Sequence, residues 1–420
     1  MTTTEDYTTV EVDNHTIIDF YDGGAKYRLR AIDLINTIDR ILGNLGLHYQ
    51  HIWNLFQVDR AGHSAVDPLL FQSVFNVNLE DVAILIPKGR PIANKAYIDT
   101  FFQGAKIVEW EDLKFLYIMH IGRHVLKYGG RVYYFIGRYV GHIYRNGLPN
   151  GASPPLKLPI LKDMSRVDRS LKRYGVEPKS YVVLHNRESG FFRATHHNHR
   201  DSAIETLIKA VKSFQQRGLK VIRIGDSSMR RLPHDLGVQE IQFNKDRDEF
   251  DDIALISNAW LYFGTSSGPL GIAEVLGTPI LGHNYTSYPT RNSNNCEFVM
   301  KRYFDARHNR FLSYFEIFTS WIGFSQVNEE LVSRDIQILS NTPDELDLAV
   351  NIYLDEYHLK NRLHREVDHR FIMNKTIDYY NLARGKVDWI FDPAYSTKTI
   401  PSRLYETSSH AYFLGNFLFE

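Results

Sequence analysis

The sequence predicts an α/β fold in two domains, on three observations. The chain has 420 residues, which at roughly 100–200 residues per domain corresponds to two domains. Short apolar runs alternate with amphipathic segments in both halves, as in parallel sheets with helical crossovers. Between the halves, residues 147–159 hold four prolines and two glycines, which neither a helix nor a central strand tolerates. We therefore expect domains over 1–150 and 160–350, with 351–420 as a C-terminal extension that could pack back on the N-terminal domain.

The composition is that of an ordinary globular protein and excludes several classes. Lys plus Arg number 49 and Asp plus Glu number 49, so the formal net charge is zero. This balance argues against a dedicated nucleic-acid-binding protein, which would usually be basic. The apolar fraction of 43% excludes a disordered chain. The single cysteine, Cys296, permits neither an internal disulfide nor a multi-cysteine zinc site.

The N-terminus and the hydropathy pattern predict a cytoplasmic protein. The first residues, MTTTEDYTTVEVDNHT, are polar and acidic, unlike the basic and apolar start of a signal peptide. The sequence contains no apolar run of about 18 residues, the length that a transmembrane helix needs. The oligomeric state stays open.

In the N-terminal half, apolar residues that recur every three positions predict a helix over 27–41, followed by a turn at Gly43–Gly46. A second helix is expected over 92–104. The continuous apolar run at 82–86, closed by Pro87, is typical of a buried parallel strand. Further strands are expected at 105–108 and 132–136.

The C-terminal half shows the same alternation more clearly. Strands are predicted at 180–184, 220–224, 239–243, 259–263 and 278–281, and helices at 201–218, 250–258, 269–276 and 341–357. For the last helix, Thr342 and Glu345 have the spacing of a capping box.

The candidate site lies where these C-terminal strands end, because ligands of open α/β sheets bind beyond the carboxyl ends of the strands. Four polar segments follow predicted strands, and in a parallel sheet they would line one crevice. They are His185–Glu188, Gly225–Ser228, Gly264–Gly268 and His283–Tyr285.

The segment Gly264–Pro269 predicts a phosphate site. A strand leads into a Gly/Ser/Thr loop, and Pro269 suits the first turn of the following helix. Free N–H groups, the helix dipole and the hydroxyls of Thr265, Ser266 and Ser267 would then face an anion. The loop lacks the lysine of a P-loop and the spacing of a dinucleotide fingerprint. The alternative is an ordinary helix N-cap with small residues for tight packing.

Arg187 is the second candidate for holding an anion. An arginine just past a buried strand needs an anionic partner, and its planar fork suits phosphate oxygens. The alternative is a salt bridge within the domain, to Glu188 or Asp226.

Two further clusters of polar residues are weaker candidates for a functional site. The histidines of His196–His199 fit no standard zinc spacing, so we interpret them, with Arg200, as loop residues that reach toward a ligand. Asp246–Asp248 has the D-x-D form by which some transferases hold a metal-bound nucleotide, but its acidic residues also suit a helix start. We expect no metal and no cofactor.

The motifs, in this order, resemble a family of bacterial glycosyltransferases linked to surface-carbohydrate synthesis. The matching segments are Ile41–Gly46, Leu85–Pro87, Ala93–Lys95, Leu184–Arg187, Arg200–Asp201, Val221–Asp226, Phe263–Gly268 and, less closely, Ser340–Thr342. The layout from Arg187 to Gly268 is also similar to that of GDP-fucose-using fucosyltransferases. The chain departs from that layout at Asn186 and in the loop 196–199.

The resemblance implies the GT-B architecture, with two Rossmann-like domains facing across a cleft. By the same resemblance, Arg187, Ser266 and Ser267 would contact the donor phosphates, and Asp226 or Ser227 would lie near the base. His185, Thr265 and Gly268 complete the predicted donor site. Asn44 and Lys95 belong to the matching segments of the N-terminal domain, which would bind the acceptor.

The sequence thus predicts a metal-independent glycosyltransferase that moves a sugar from a nucleotide diphosphate, with GDP slightly favoured, to a glycan or other hydroxyl acceptor. Arg187 would stabilise the leaving diphosphate, and His48 is the candidate general base, although a surface or core role is the simpler interpretation of His48. Two alternatives stay open: a pyruvyl or phosphosugar transferase on a similar fold, and a non-catalytic protein that binds nucleotide sugars or glycans.

Overall fold

The computed structural model describes residues 9–22, 25–62, 64, 77–112, 116, 125–134, 161–190, 195–286, 296–312, 316–317, 322 and 328–359. The chain divides into two compact units, Met1–Pro159 and Ile160–Glu420. Each unit is built on a sheet of mainly parallel strands, so the predicted α/β fold class is confirmed. The predicted linker at 147–159 lies outside the described residues.

The first unit contains a six-stranded sheet with the order β1-β7-β8-β4-β5-β6. Strands β8, β4, β5 and β6 run parallel, and β7 pairs with β8 in the antiparallel sense. Strands β2 and β3 form a separate antiparallel hairpin. The strands are β1 (Thr9–Glu11), β2 (Ile17–Asp22), β3 (Ala25–Arg30), β4 (His51–Asn54), β5 (Val82–Pro87), β6 (Lys106–Trp110), β7 (Val125–Tyr128) and β8 (Arg131–Tyr134).

Two helices of this unit were expected, with different bounds. Helix α1 spans Ala31–Asn44 and buries one face, including Ile35 and Ile38, against the sheet. The predicted start at residue 27 is wrong, because residues 25–30 form strand β3. Helix α2 spans Lys95–Phe101, capped by the side chain of Asn94, which accepts from the amide of Tyr97.

The second unit contains a six-stranded sheet in which all strands run parallel, in the order β11-β10-β9-β12-β13-β14. In chain order this is the 3-2-1-4-5-6 arrangement of doubly wound dinucleotide-binding folds, whose switch point lies between the first and fourth strands. Here those two strands are β9 and β12. The strands are β9 (Tyr181–His185), β10 (Lys220–Arg223), β11 (Gln239–Glu240), β12 (Leu261–Gly264), β13 (Ile280–Tyr285) and β14 (Cys296–Met300).

The helices of the second unit cover the faces of this sheet or extend from it. They are α3 (Met164–Arg173), α4 (Ile208–Gln216), α5 (Phe250–Asn258), α6 (Gly268–Val275), α7 (Asn328–Val332) and α8 (Pro343–Leu359). Helix α5 has the predicted bounds. The segment expected as one helix from 201 is a 3-10 turn, Ile204–Leu207, followed by α4.

Helix α8 begins with the predicted capping box. The amide of Thr342 donates to the Glu345 carboxylate at 2.7 Å, and the amide of Glu345 donates to the Thr342 hydroxyl at 3.2 Å. Leu346, Val350 and Leu354 pack into the core of the second unit. The helix continues to residue 359, and residues 360–420 lie outside the described part of the chain, so the extension over 351–420 stays a prediction.

A small antiparallel sheet, β16-β15-β17, completes the second unit. Its strands are β15 (Arg302–Asp305), β16 (Arg310–Phe311) and β17 (Ile336–Leu339). Across the residues that the structure describes, no helix combines the length and the apolar character needed to cross a membrane.

Candidate functional site

The candidate site forms where β9 and β12 end side by side, at the switch point of the second sheet. The two strands pair in register up to His185 and Gly264. Thr265 then joins the two strand ends: its amide donates to the carbonyl of His185 at 3.2 Å, and its hydroxyl accepts from the amide of Arg187 at 2.9 Å. Thr265 is fully buried, so its hydroxyl ties the two loops together.

Asn186 closes the loop that follows β9. It is fully buried, and its side-chain amide donates to the carbonyl of Ser202 at 2.8 Å. The Ser202 hydroxyl donates back to the Asn186 oxygen at 2.5 Å, and the Ser202 amide donates to the carbonyl of Arg187. These three bonds close the loop 187–201, which explains an asparagine at the position where the chain departs from the fucosyltransferase layout.

The closed loop places Arg187 against Asp201. Arg187 Nε donates to Asp201 Oδ1 at 2.8 Å, and both side chains are over four-fifths buried. The expected alternative partners are wrong, because Glu188 pairs with Arg223 and Asp226 accepts from Ser228. Among the residues that the structure describes, the two terminal nitrogens of Arg187 make no hydrogen bond, which leaves this fork available for a second anion.

Two further cations stand beside Asp201. Lys301, the residue after β14, is 4% exposed and donates through Nζ to the carbonyls of His199, at 3.0 Å, and Asp201. Arg200 Nη2 donates to the carbonyl of Ser266 at 2.7 Å and to its hydroxyl at 3.1 Å. Burial raises the pKa of Asp201, although these three cations lower it. One carboxylate therefore lies among three cations.

Helix α6 starts beside this cluster. Its N-cap, Ser267, makes no capping hydrogen bond to the helix; its hydroxyl donates to the carbonyl of Thr265 and lies 3.1 Å from His185 Nδ1. The first N–H groups of a helix have no intrahelical acceptor, and the amide of Gly268 has no hydrogen-bond acceptor within the described residues. The helix start therefore offers an uncapped N–H group and a positive dipole end.

Two buried histidines underlie the loop and are neutral. Burial lowers the pKa of His185 to about 3, and Arg223 and Arg187 add to the effect. Burial also lowers the pKa of His283 to about 3, and its Nε2 lies 3.2 Å from the carbonyl of His185. His283 was expected in the crevice, but it lies within β13 and is fully buried. Neither ring can add a positive charge to the site near neutral pH.

The residues expected near the base follow β10, the neighbour of β9. Asp226 is half-buried and accepts from the amide of Ser228 at 2.8 Å, while Ser227 is exposed. Beneath them, fully buried Arg223 pairs with Glu188 at 2.7 Å and with Glu240 at 2.6 Å. This network fixes the strand ends but does not show what Asp226 binds, so its role stays a prediction.

The candidates in the first unit do not form one site. Asn44 ends α1 and His48 precedes β4, so both lie near the amino edge of that sheet, and both are exposed. Lys95 begins α2 beyond the carboxyl end of β5, and it pairs with Asp99 at 2.7 Å. His48 is thus an exposed histidine, and its role as general base stays a prediction.

Of the two clusters considered for metal, one has an aspartate with structural partners and the other lies in a turn. Asp248 accepts from Arg166 at 2.8 Å and from the amide of Phe250, at the start of α5. The histidines of 196–199 lie in a 3-10 turn, Thr195–Arg200. Within the described ranges, no group of three or more His, Cys, Asp or Glu side chains could hold a metal ion.

Sequence reasoning selected Arg187 and the loop before α6 as candidates but did not join Asp201, Arg200 and Lys301 to them in one cluster. Arg200–Asp201 was a matching motif, and only Arg200 was expected to reach toward a ligand. Lys301 follows the apolar run Phe298–Met300 in the same way that Arg187 follows its strand, a signal that would have found it once β14 was recognised as a strand.

Comparisons with known proteins gave structural similarities only. No protein-family model and no curated protein matches the chain. The chain is similar to the structure of E. coli ADP-heptose lps heptosyltransferase II at 12% identity and a TM-score of 0.41, covering 60% of this chain and 90% of that chain. It is similar to the glycosyl transferase family 9 protein from Veillonella parvula DSM 2008 at 10% identity and a TM-score of 0.36, covering 60% and 86%.

A third similar structure is the iron-containing dodecameric glycosyltransferase TibC from enterotoxigenic E. coli H10407. The identity is 12% and the TM-score 0.31, with 56% of this chain and 57% of that chain covered. Identities and TM-scores this low do not carry the substrates or metals of these proteins to this chain.

Proposed function

We propose that the chain is a glycosyltransferase whose second unit binds a nucleotide-sugar donor, with the diphosphate between Arg187 and the start of α6. The observation that carries the proposal is the guanidinium of Arg187, which lies at the switch point and is over four-fifths buried. Among the described residues it is bonded only through Nε, to Asp201. Its two terminal nitrogens suit a bidentate oxyanion, and a diphosphate supplies one.

The chemistry of each group suits a diphosphate. Arg187 keeps its terminal nitrogens for bidentate bonds to phosphate oxygens, since Asp201 occupies only Nε. The amide of Gly268 and the dipole of α6 favour the same anion. The position, beyond the carboxyl ends of the first and fourth strands of a 3-2-1-4-5-6 sheet, is where such folds bind nucleotides.

In a sugar transfer, the leaving diphosphate gathers negative charge as the glycosidic bond breaks. Hydrogen-bond donors that are already in place stabilise that charge without reorganising, which lowers the barrier to sugar transfer. Arg187 and the start of α6 would serve this purpose without a metal ion. Asp226 and Ser227, after the neighbouring strand, would meet the nucleoside, and the acceptor would be a hydroxyl group of a glycan.

The proposal is tested by calorimetric titration with UDP, GDP, CMP, ADP and dTDP, followed by a screen for donor hydrolysis and transfer. We expect one diphosphate to bind at a single site and its sugar donor to turn over. Binding without turnover of any donor would favour a non-catalytic nucleotide-sugar-binding protein. Binding of none of the nucleotides would contradict the proposal.

A further inference from the structure

Lys301 is a buried cation that does not line the proposed phosphate site directly. It follows β14, the edge strand of the second sheet, and is 4% exposed. Its ammonium donates to the backbone carbonyls of His199 and Asp201, residues that lie 102 and 100 positions away in the chain. A hydrophobic residue could fill a buried position without the cost of desolvating a charge. A lysine at this position therefore indicates a role for its charge or its hydrogen bonds.

The backbone segment that Lys301 binds carries two side chains, those of Arg200 and Asp201, that contact groups of the site. Between the two bonded carbonyls lies Arg200, whose guanidinium donates to Ser266 in the loop before α6. Asp201 itself orients the guanidinium of Arg187 through Nε. One ammonium thus fixes the segment on which both contacts depend.

We propose that Lys301 is a positioning residue of the nucleotide-diphosphate site: by holding the segment 199–201 it orients Arg187 and Arg200, and its charge adds to the field that attracts the diphosphate. The inference rests on the proposed function and extends it to a residue outside the predicted site. Misplacing a binding group by about 1 Å can cost about a hundredfold in function. Loss of Lys301 should therefore weaken nucleotide binding without removing any direct contact.

The titratable groups that face Lys301 come from three segments: Arg187 after β9, Asp201 before α4 and the neutral His283 in β13. Burial lowers the pKa of Lys301 to about 8, with Asp201 opposing and Arg187 adding to the effect. As the pH rises through this range, the ammonium loses its proton, its bonds to the carbonyls weaken, and the site loses one positive charge. The nucleotide keeps its charge there, because the second pKa of a phosphate is near 6.

As the pH rises over the same range, protein stability increases through this group while nucleotide affinity decreases. The unfolded lysine keeps its proton until about pH 10.4, whereas the folded one releases it near pH 8. The unfolded state then binds more protons, so the stability of the fold rises with pH between these values. A loss of nucleotide binding at pH 9 would therefore not be caused by unfolding through this group.

The test measures the affinity for UDP, GDP and ADP between pH 7 and pH 9.5 by calorimetry, for the wild type, Lys301→Arg and Lys301→Met. For the best-bound nucleotide, we expect the wild-type Kd to rise by about tenfold, as one unit charge acting over several ångströms would give. Lys301→Arg should keep the affinity of pH 7 throughout, because arginine does not titrate. Lys301→Met should bind weakly at every pH.

Equal pH profiles in the wild type and Lys301→Arg would overturn the inference, and so would wild-type affinity in Lys301→Met. If Lys301→Met does not fold, the comparison of the wild type with Lys301→Arg decides alone. Failure of the proposed function gives a different result, since the wild type would then bind none of the three nucleotides at pH 7.

Discussion

Replacing Arg187 by alanine tests the diphosphate site at its most specific contact. The two terminal nitrogens of Arg187 are the groups that no described residue occupies. Each charge-assisted hydrogen bond to a phosphate oxygen is worth about 1.5–3 kcal/mol. Losing two such bonds costs about 3–6 kcal/mol, which corresponds to a rise in Kd of about a hundredfold to ten-thousandfold.

The alanine variant also leaves Asp201 without its partner, so a second variant separates the two effects. In Arg187→Ala the largely buried carboxylate of Asp201 loses its hydrogen-bonded partner and repels the phosphates. The double variant Arg187→Ala/Asp201→Asn removes this repulsion. We expect the double variant to bind more tightly than the single variant but more weakly than the wild type.

The assay is calorimetric titration with the nucleoside diphosphate that the wild type binds best, with circular dichroism to show that each variant is folded. Arg217→Ala is the matched control. Arg217 also pairs with a carboxylate, Asp355 at 2.6 Å, but it precedes β10 and so lies at the opposite edge of the sheet. A folded Arg187→Ala protein whose Kd stays within about threefold of the wild type would refute the reasoning.

Four further predictions concern stability, each measured by urea unfolding. Arg223→Met removes the ion pairs to Glu188 and Glu240, two largely buried glutamates, and should cost about 3–5 kcal/mol; a loss below about 1 kcal/mol would contradict the buried network. A Cβ on Gly264 would overlap the ring of Tyr262, so Gly264→Ala should cost about 1–3 kcal/mol. Gly43→Ala, in a helix with open space around it, should stabilise the protein instead. Lowering the pH from 7 to 5 should remove about 2 kcal/mol for each of His185 and His283, because the folded protein keeps both neutral, with pKa values of about 3, while the unfolded chain protonates them; equal stability at the two pH values would contradict their burial.

The parallel strands could be predicted because a strand buried on both faces is a continuous apolar run. Val82–Pro87 and Tyr181–His185 are buried along their whole length and were predicted to within one residue at each end. Strand β4, His51–Asn54, was missed because it is four residues long and has polar residues at both ends. The sequence pattern also predicted a helix from residue 27, where β3 lies. The reason is that Leu29 continues the three-residue spacing of the apolar residues in the helix that follows.

The placement of polar residues in β13 could not be predicted locally. His283 and Asn284 suggested a loop, yet both are fully buried in the strand. Asn284 exchanges two hydrogen bonds with Asn341, at 2.9 and 2.7 Å. The partner lies 57 positions away in the chain, so no short motif reveals it.

The same limit applied to the candidate site. Arg187 and the loop before α6 could be predicted because strand ends and helix starts are local features. The pairing of Arg187 with Asp201 depends on the closed loop, and the role of Lys301 depends on contacts about a hundred residues apart. These contacts follow from the parallel sheet, which brings the carboxyl ends of β9, β12 and β14 to the same side.

A crystal structure of the protein with the best-bound nucleoside diphosphate tests the central claim most directly. The account predicts phosphate oxygens within about 2.7–3.1 Å of the terminal nitrogens of Arg187 and of the amide of Gly268. A nucleotide bound at full occupancy elsewhere, with those groups more than about 5 Å from any phosphate oxygen, would contradict it.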